Sequence, residues 1–230
     1  MKGCEVMRFV LRIGGSVIAS PINSALISKY TDLLKGLKRQ GHEITVVVGG
    51  GALAREFIGV AKDLGLDEWV QDTVAISVSR IFAQLFLKKL GELGCEAVPL
   101  TIEDTVKCLR EGKVAVMGGL KPGMTTDTVA ALIVEQVDAK LLIKATDQEG
   151  IYNKDPRKYA DAVKLEYLSF EDLPRVFAED EHKAGIHQIL DPEAVKILKK
   201  GRVKVVVVNG FKPKNVLAAV KGEKVGTLIG

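Results

Sequence analysis

Cysteine is scarce in this chain of 230 residues: only Cys4, Cys95 and Cys108, odd in number, widely spaced and without a C-x-x-C pair. That pattern excludes a disulfide framework and a thiol zinc site, and it reads as reduced thiols in a cytoplasmic protein. Histidine is equally sparse. His42, His182 and His187 form no H-E-x-x-H and lie near no cysteine pair, so no metal-ligating set is expected. Aromatic residues make up 5% of the chain, with one tryptophan, and show no RNA-binding signature. Charge of one sign never accumulates: the net charge is +4 with 27% charged residues, which argues against nucleic acid as a partner. No apolar run approaches the roughly eighteen residues of a membrane span, and Met1 to Ala19 carries Arg8 and Arg12 inside its apolar stretch, unlike a signal peptide. A linker, a low-complexity segment, an internal repeat and a G-x-x-x-x-G-K-[ST] phosphate loop are all missing as well. What these absences leave is a globular protein, 47% hydrophobic, whose partner is a metabolite.

Glycine, by contrast, is abundant and clustered. Ile44 to Val48 reads as a buried strand that stops at Gly49-Gly50-Gly51 and passes at once into a helix over Ala52 to Leu64. Bare backbone lets a ligand approach the main chain, and the first helical turn aims its N–H groups at the same place. Such a turn suits phosphate. Two more follow the same plan: Val6 to Ile13 runs into Gly14-Gly15-Ser16, and Val114 to Met117 runs into Gly118-Gly-Leu-Lys-Pro-Gly-Met-Thr-Thr-Asp127, which opens a helix over Val129 to Val137.

Between and beyond these turns the chain alternates. Helices are expected from Pro21–Asn23 to about Gln40, from Glu68 to Leu93, over Glu103 to Arg110, over Phe170 to Ala178, from Asp191-Pro192 to Lys200 and over Pro213 to Val220. Strands are expected at Ala97 to Leu100, Leu141 to Ala145, Val163 to Leu168 and Val203 to Val208, with Val225 to Ile229 as a closing edge strand. The fold class is therefore α/β, a mainly parallel sheet covered on both faces, with ligands bound outside the carboxyl ends of the strands. The texture becomes polar and turn-rich after Ala145. This predicts a single domain over 1–230 with two lobes, 1–145 and 146–230.

Three glycine turns at one edge ask for several phosphates, or for two phosphorylated ligands side by side. Phosphoryl transfer needs in-line positioning and charge neutralisation. Arg12, Arg55, Lys121 and Lys144 are the cations near the turns; Asp127 would orient them or hold a metal-bound water, and Asp147, Glu149 and Asp155 stand on the later side. A competing reading, a dinucleotide-binding oxidoreductase on Gly49-x-Gly51-x-x-Ala54, lacks the strand that should follow soon after the first helix. A non-catalytic nucleotide-binding module is a third.

The ordered segments Arg12-Ile-Gly-Gly-Ser16, Gly49-Gly-Gly-Ala-Leu-Ala-Arg55, Gly118-Gly-Leu-Lys-Pro-Gly-Met-Thr-Thr-Asp127 and Ala145-Thr-Asp-Gln-Glu-Gly-Ile-Tyr-Asn-Lys-Asp155 resemble the amino acid kinase superfamily. Within it they are most similar to the archaeal-type uridylate (UMP) kinases. The likeness runs on through Leu190-Asp-Pro-Glu-Ala-Val-Lys196 to Val225-Gly-Thr227. It implies a three-layer αβα fold, the acceptor bound by 1–145, ATP bound by 146–230, Mg²⁺ with the ATP, and a homohexamer. Residue by residue it implies that Gly15, Ser16, Gly51 and Arg55 meet the ATP phosphates and that Thr146, Tyr152 and Asp155 hold the adenosine side. Gly50, Asp72 and the loop of Leu120, Lys121, Pro122, Gly123, Met124, Thr125 and Thr126 would hold UMP. Arg12, Asp127 and Lys183 would be catalytic, and replacing Arg55 or Asp127 is expected to stop turnover without unfolding the chain. A kinase of the same fold acting on another small phosphomonoester is the sister reading.

The sequence departs from the family pattern at several positions. Arg12 stands where many relatives have Lys, Phe82 where Asn is expected after Ser79-Arg80, and Met124 where the acceptor loop usually has His. Asp147 and Glu149 replace Asn and Asp, and Ile186 and His187 occupy small or hydroxylic positions.

Overall fold

The computed structural model describes residues 6–174 and 190–230. Its strands are β1 (Arg8–Ile13), β2 (Glu43–Val48), β3 (Ala115–Met117), β4 (Leu141–Thr146), β5 (Ile151–Tyr152), β6 (Lys164–Leu165), β7 (Tyr167–Leu168), β8 (Lys204–Asn209) and β9 (Thr227–Ile229). The helices are α1 (Gly15–Ile18), α2 (Ser24–Arg39), α3 (Gly51–Asp63), α4 (Glu68–Leu90), α5 (Ile102–Arg110), α6 (Thr126–Gln136), α7 (Pro192–Lys200) and α8 (Lys214–Val220). Seven strands form one sheet in the order β3-β2-β1-β4-β8-β9-β7, while β5 and β6 pair separately. From β3 through β8 all neighbours are parallel; β9 runs antiparallel to β8.

Alternation along the strands divides the core in two. Phe9, Leu11 and Ile13 of β1, with Ile44, Val46 and Val48 of β2, face α2, α4 and α8 through Tyr30, Leu34, Phe82, Phe86 and Val216. Val10 of β1 and Val47 of β2 face the opposite layer, where Val129, Ile133 and Val134 of α6 and Ala194 and Leu198 of α7 pack. A strand buried on both sides must be apolar at nearly every position, which is why β2 and β8 read as continuous Val/Ile runs. Each such fully buried side chain contributes about 1.5–3 kcal/mol. The large polar core residue, Tyr30, is satisfied: its hydroxyl donates to the Gly210 carbonyl at 2.8 Å, and burial pushes its pKa well up.

Three local expectations change. Ala97 to Leu100 is not a strand; the amide of Leu100, with that of Thr101, goes to Asp104 in the capping box that starts α5, and Pro99 has no amide hydrogen to give to a ladder. Val163 to Leu168 breaks at Glu166, giving β6 to the small hairpin and β7 to the main sheet. The closing strand β9 is not an edge, because β7 adds beyond it. Cys95 and Cys108 also depart from the expectation of reduced thiols: they form a disulfide, with Cα atoms 5.9 Å apart, tying the segment after α4 to α5. Of the helix expected over Phe170 to Ala178, residues 175–178 lie outside the described residues.

Candidate active site

The parallel register places Arg12 of β1 directly beside Lys144 of β4, both on the α6 face near the carboxyl ends of their strands. Asp127, in the first turn of α6, lies between them. Its Oδ1 meets Arg12 Nε at 2.9 Å and its Oδ2 meets Lys144 Nζ at 2.5 Å. Asp127 and Lys144 are 7% and 5% exposed, so this is a buried ionic cluster with net positive charge. Burial lowers the Lys144 pKa to about 8; Asp127 opposes that shift and Arg12 adds to it. Arg12 also donates through Nη2 to the Thr126 hydroxyl at 2.9 Å.

Two of the glycine turns meet back to back beside this cluster. A Cβ on Gly15 would collide with the amide nitrogen of Gly51, and one on Gly51 would collide with the Gly15 carbonyl oxygen. Gly51 also takes a φ of +63°, a left-handed value that side chains disfavour. The turns are tied further by Ser20, whose hydroxyl accepts from the Ala52 amide at 2.7 Å and donates to the Gly15 carbonyl. The N-terminus of α3 thus opens beside the ends of β1 and β4, with the positive end of its dipole toward an incoming anion.

The third turn is held from below by α4. Ser79 Oγ accepts from the Gly119 amide at 2.8 Å, Arg80 donates to the carbonyls of Gly119 and Leu120 at 3.1 and 2.9 Å, and Asp72 Oδ2 accepts from the Gly123 amide at 2.7 Å. At the end of the loop Thr125 caps α6, accepting from the amides of Asp127 and Thr128, and donates its own proton to Asp191.

Beyond β4 the chain turns through Thr146 to Arg157. Thr146 bonds Asp147 at 3.1 Å, and Arg157 pairs with Asp147 at 2.6 Å. The Asp155 carboxylate accepts from the Arg157 amide at 2.9 Å. Glu149 accepts from Asn209 and Lys212 and is held below the usual carboxylate range, first by the Lys212 bond and then by the Asn209 bond.

These parts line one cleft of about 910 Å³. Arg12, Gly15, Ser16, Gly50, Gly51, Arg55, Asp72, Gly123, Met124, Thr125, Thr126, Asp127, Thr146, Tyr152 and Asp155 all stand on its wall. Leu120, Lys121 and Pro122 do not: Leu120 packs toward the α6 core and Lys121 is exposed, because the loop turns its far side outward there. Lys183 lies outside the described residues. Met124 faces the cleft, but Phe82 is 2% exposed and belongs to the core. From its place in the chain Lys144 is a cation near the turns, and a lysine inside Leu-Leu-Ile-Lys-Ala-Thr is in addition a signal of a paired buried charge. Arg80 and Asp191 fall in segments of family likeness, Ser79-Arg80 and Leu190-Asp-Pro-Glu-Ala-Val-Lys196, but those segments assign neither a role at the site.

The arrangement sets glycine-turn amides and a cluster of net positive charge on one cleft at the ends of the strands. The Gly49 turn does not open a dinucleotide unit, since α3 is followed by α4 rather than by a strand.

The amino acid kinase family model matches residues 7–209. The uridylate kinase of Methanobrevibacter smithii is 36% identical over 223 residues, covering 97% of this chain and 99% of its own. That of Methanothrix thermoacetophila is 39% identical over 223 residues with the same coverage. Among solved structures, the uridylate kinase of Archaeoglobus fulgidus superposes with a TM-score of 0.87 at 35% identity, covering 97% of this chain and 100% of that one. With this agreement spanning the sheet, the glycine turns and the cleft, the chain belongs to the amino acid kinase family.

Proposed function

We propose that this protein transfers the γ-phosphoryl group of ATP to the phosphate of UMP, giving ADP and UDP for pyrimidine nucleotide synthesis. The observation that carries the reading is the Arg12–Asp127–Lys144 cluster at the meeting point of the glycine turns. The near full-length likeness to uridylate kinases supports the same acceptor.

In this reading 146–230 is the ATP lobe and 1–145 the acceptor lobe. The amides of Gly15, Ser16 and Gly51, with Arg55, meet the donor phosphates, and Thr146, Tyr152 and Asp155 hold the adenosine. Gly50, Asp72 and the loop from Gly123 to Thr126 hold UMP. A UMP phosphate oxygen attacks the γ-phosphorus in line while the bond to the β–γ bridging oxygen breaks, and that oxygen leaves with ADP. Arg12 and Lys144 neutralise the charge spread over the transferring group, Asp127 keeps both cations aimed, and Lys183 is a further cation. Thr126 donates its hydroxyl proton to a phosphoryl oxygen, since its own oxygen is occupied by Arg12.

Mg²⁺ would enter on the nucleotide. The described residues gather no cluster of three or more metal-ligating side chains, and both oxygens of Asp127 face cations. That donor set fits an ion carried by phosphates and water, whose charge offsets theirs.

The protein is a cytoplasmic homohexamer in this reading. Support for assembly comes from the exposed apolar side chains of α3 and α4, among them Phe57, Val60, Ile81 and Leu85, with Trp69 65% exposed. No described helix is long and apolar enough to cross a membrane.

A coupled ADP-release assay with Mg-ATP and a panel of nucleoside monophosphates and small phosphate esters tests the function. Turnover strongest with UMP is expected. Strongest turnover with another ester would move the acceptor, and ATP binding without any turnover would overturn the kinase reading.

A further inference from the structure

Asp191 lies outside the cleft wall yet reaches it through the hydroxyl of Thr125. Its Oδ2 accepts from Thr125 Oγ1 at 2.5 Å, and its Oδ1 accepts from Thr128 Oγ1 at 2.8 Å and from the Ala194 amide at 2.9 Å. One carboxylate therefore caps α7 and grips the first turn of α6, two helices that pack against each other in the layer beneath the cluster. Burial alone would raise its pKa, but the bonds from Thr125, Ala194 and Thr128 bring it below the usual carboxylate range, so it is ionised at neutral pH.

Thr125 is committed on every side. Its oxygen accepts from the amides of Asp127 and Thr128 at 3.2 and 3.1 Å, and its proton goes to Asp191. The cap that fixes the Asp127 amide is thus oriented by Asp191. A hydroxyl free to rotate would satisfy these amides only part of the time, and the Asp127 carboxylate would wander between Arg12 and Lys144.

We propose that Asp191 is a positioning residue of the phosphoryl-transfer step: through Thr125 and Thr128 it locks the first turn of α6 and so holds Asp127 against Arg12 and Lys144. It follows that the Thr125 hydroxyl builds the site, whereas the Thr126 hydroxyl is the one in the loop that reaches the ligand. The proposal rests on the kinase reading above and adds a residue to it.

Asn caps helices as well as Asp, so Asp191→Asn keeps the start of α7 and removes the charge and one acceptor. The Asn Nδ2 would then face a Thr125 oxygen already filled by two amides. The expected result is a kcat lowered by roughly ten- to a hundredfold, a magnitude ordinary for losing alignment in the transition state. Dissociation constants for UMP and ATP, measured calorimetrically, should stay within about threefold, since a transition-state interaction is what is lost. Thr128→Val, which spares the Thr125 bond, should cost much less. Amide exchange at Asp127 and Thr128 should quicken in Asp191→Asn while the rest of α6 is unchanged. Wild-type kcat with unchanged exchange in Asp191→Asn would overturn the proposal, as would a loss confined to ligand binding. If the wild-type protein turns over no acceptor, the kinase reading fails by itself, and unchanged exchange at these two amides would still overturn the role given to Asp191.

Discussion

Arg12 and Lys144 stand side by side on adjacent parallel strands with one carboxylate, Asp127, between them. Two like charges opposed across a sheet repel and destabilise it. Here the repulsion is offset by Asp127 in the native state and remains available to attract phosphate. The stability of this end of the sheet and the chemistry of the cleft therefore share three side chains.

Replacing Asp127 should accordingly do more than stop turnover. Asp127→Ala leaves the buried Lys144 and the half-buried Arg12 without their counter-charge, at a cost of about 3–5 kcal/mol, so the variant should fold but with reduced stability. Turnover should fall by at least about a hundredfold. Chemical denaturation and the ADP-release assay check both halves. Full stability in the variant would mean the cluster is not electrostatically coupled.

The pH profile follows from Lys144. Its pKa in the fold is lowered to about 8, so it carries its charge below that pH and loses it as the pH rises. If its charge serves transfer, kcat/KM, which reports free-enzyme groups, should fall along an alkaline limb near pH 8 rather than near the usual lysine value. Lys144→Arg should carry that limb upward. For stability the sign is opposite. The unfolded chain binds this proton more tightly than the native one, so the Lys144 contribution to stability grows as pH rises from about 8 toward the ordinary lysine value of 10.5. A profile flat to about pH 10 would remove Lys144 from the reacting set.

The backbone contact between Gly15 and Gly51 admits no side chain. Gly15→Ala should destabilise by roughly 2–4 kcal/mol and weaken ATP binding by separating the turns. Gly36, inside α2, is the control, because a Cβ added there would meet nothing within 4 Å. There an alanine should stabilise by about 0.5–1 kcal/mol. Thermal melts of the two variants should move in opposite directions, and a neutral Gly15→Ala would show the contact to be loose.

Thiol titration of the unfolded, unreduced protein should find one free cysteine rather than three, since Cys95 and Cys108 are joined. The closed loop is short, with a sequence separation of 13, and reduction should cost about 3 kcal/mol. A melting temperature unaffected by reductant would mean that the bridge contributes nothing.

The sequence by itself determined the order of elements, the three glycine turns and their placement at strand ends. Each is a local matter: β-branched runs, caps such as Asn23 and Asp67, and glycines where the backbone must be bare. It also marked most of the cleft wall, because family motifs are contiguous in the chain. Tertiary structure alone decided what happens between distant segments. The register that sets Arg12 beside Lys144, the reach of Asp191 to Thr125 across 66 positions, and the disulfide all depend on packing partners that no local pattern specifies. The failed strand at Ala97 to Leu100 has the same cause in part: Pro99 has no amide to give, and the Leu100 amide goes to the Asp104 cap, a competition for a donor that is settled only when both claimants are in place.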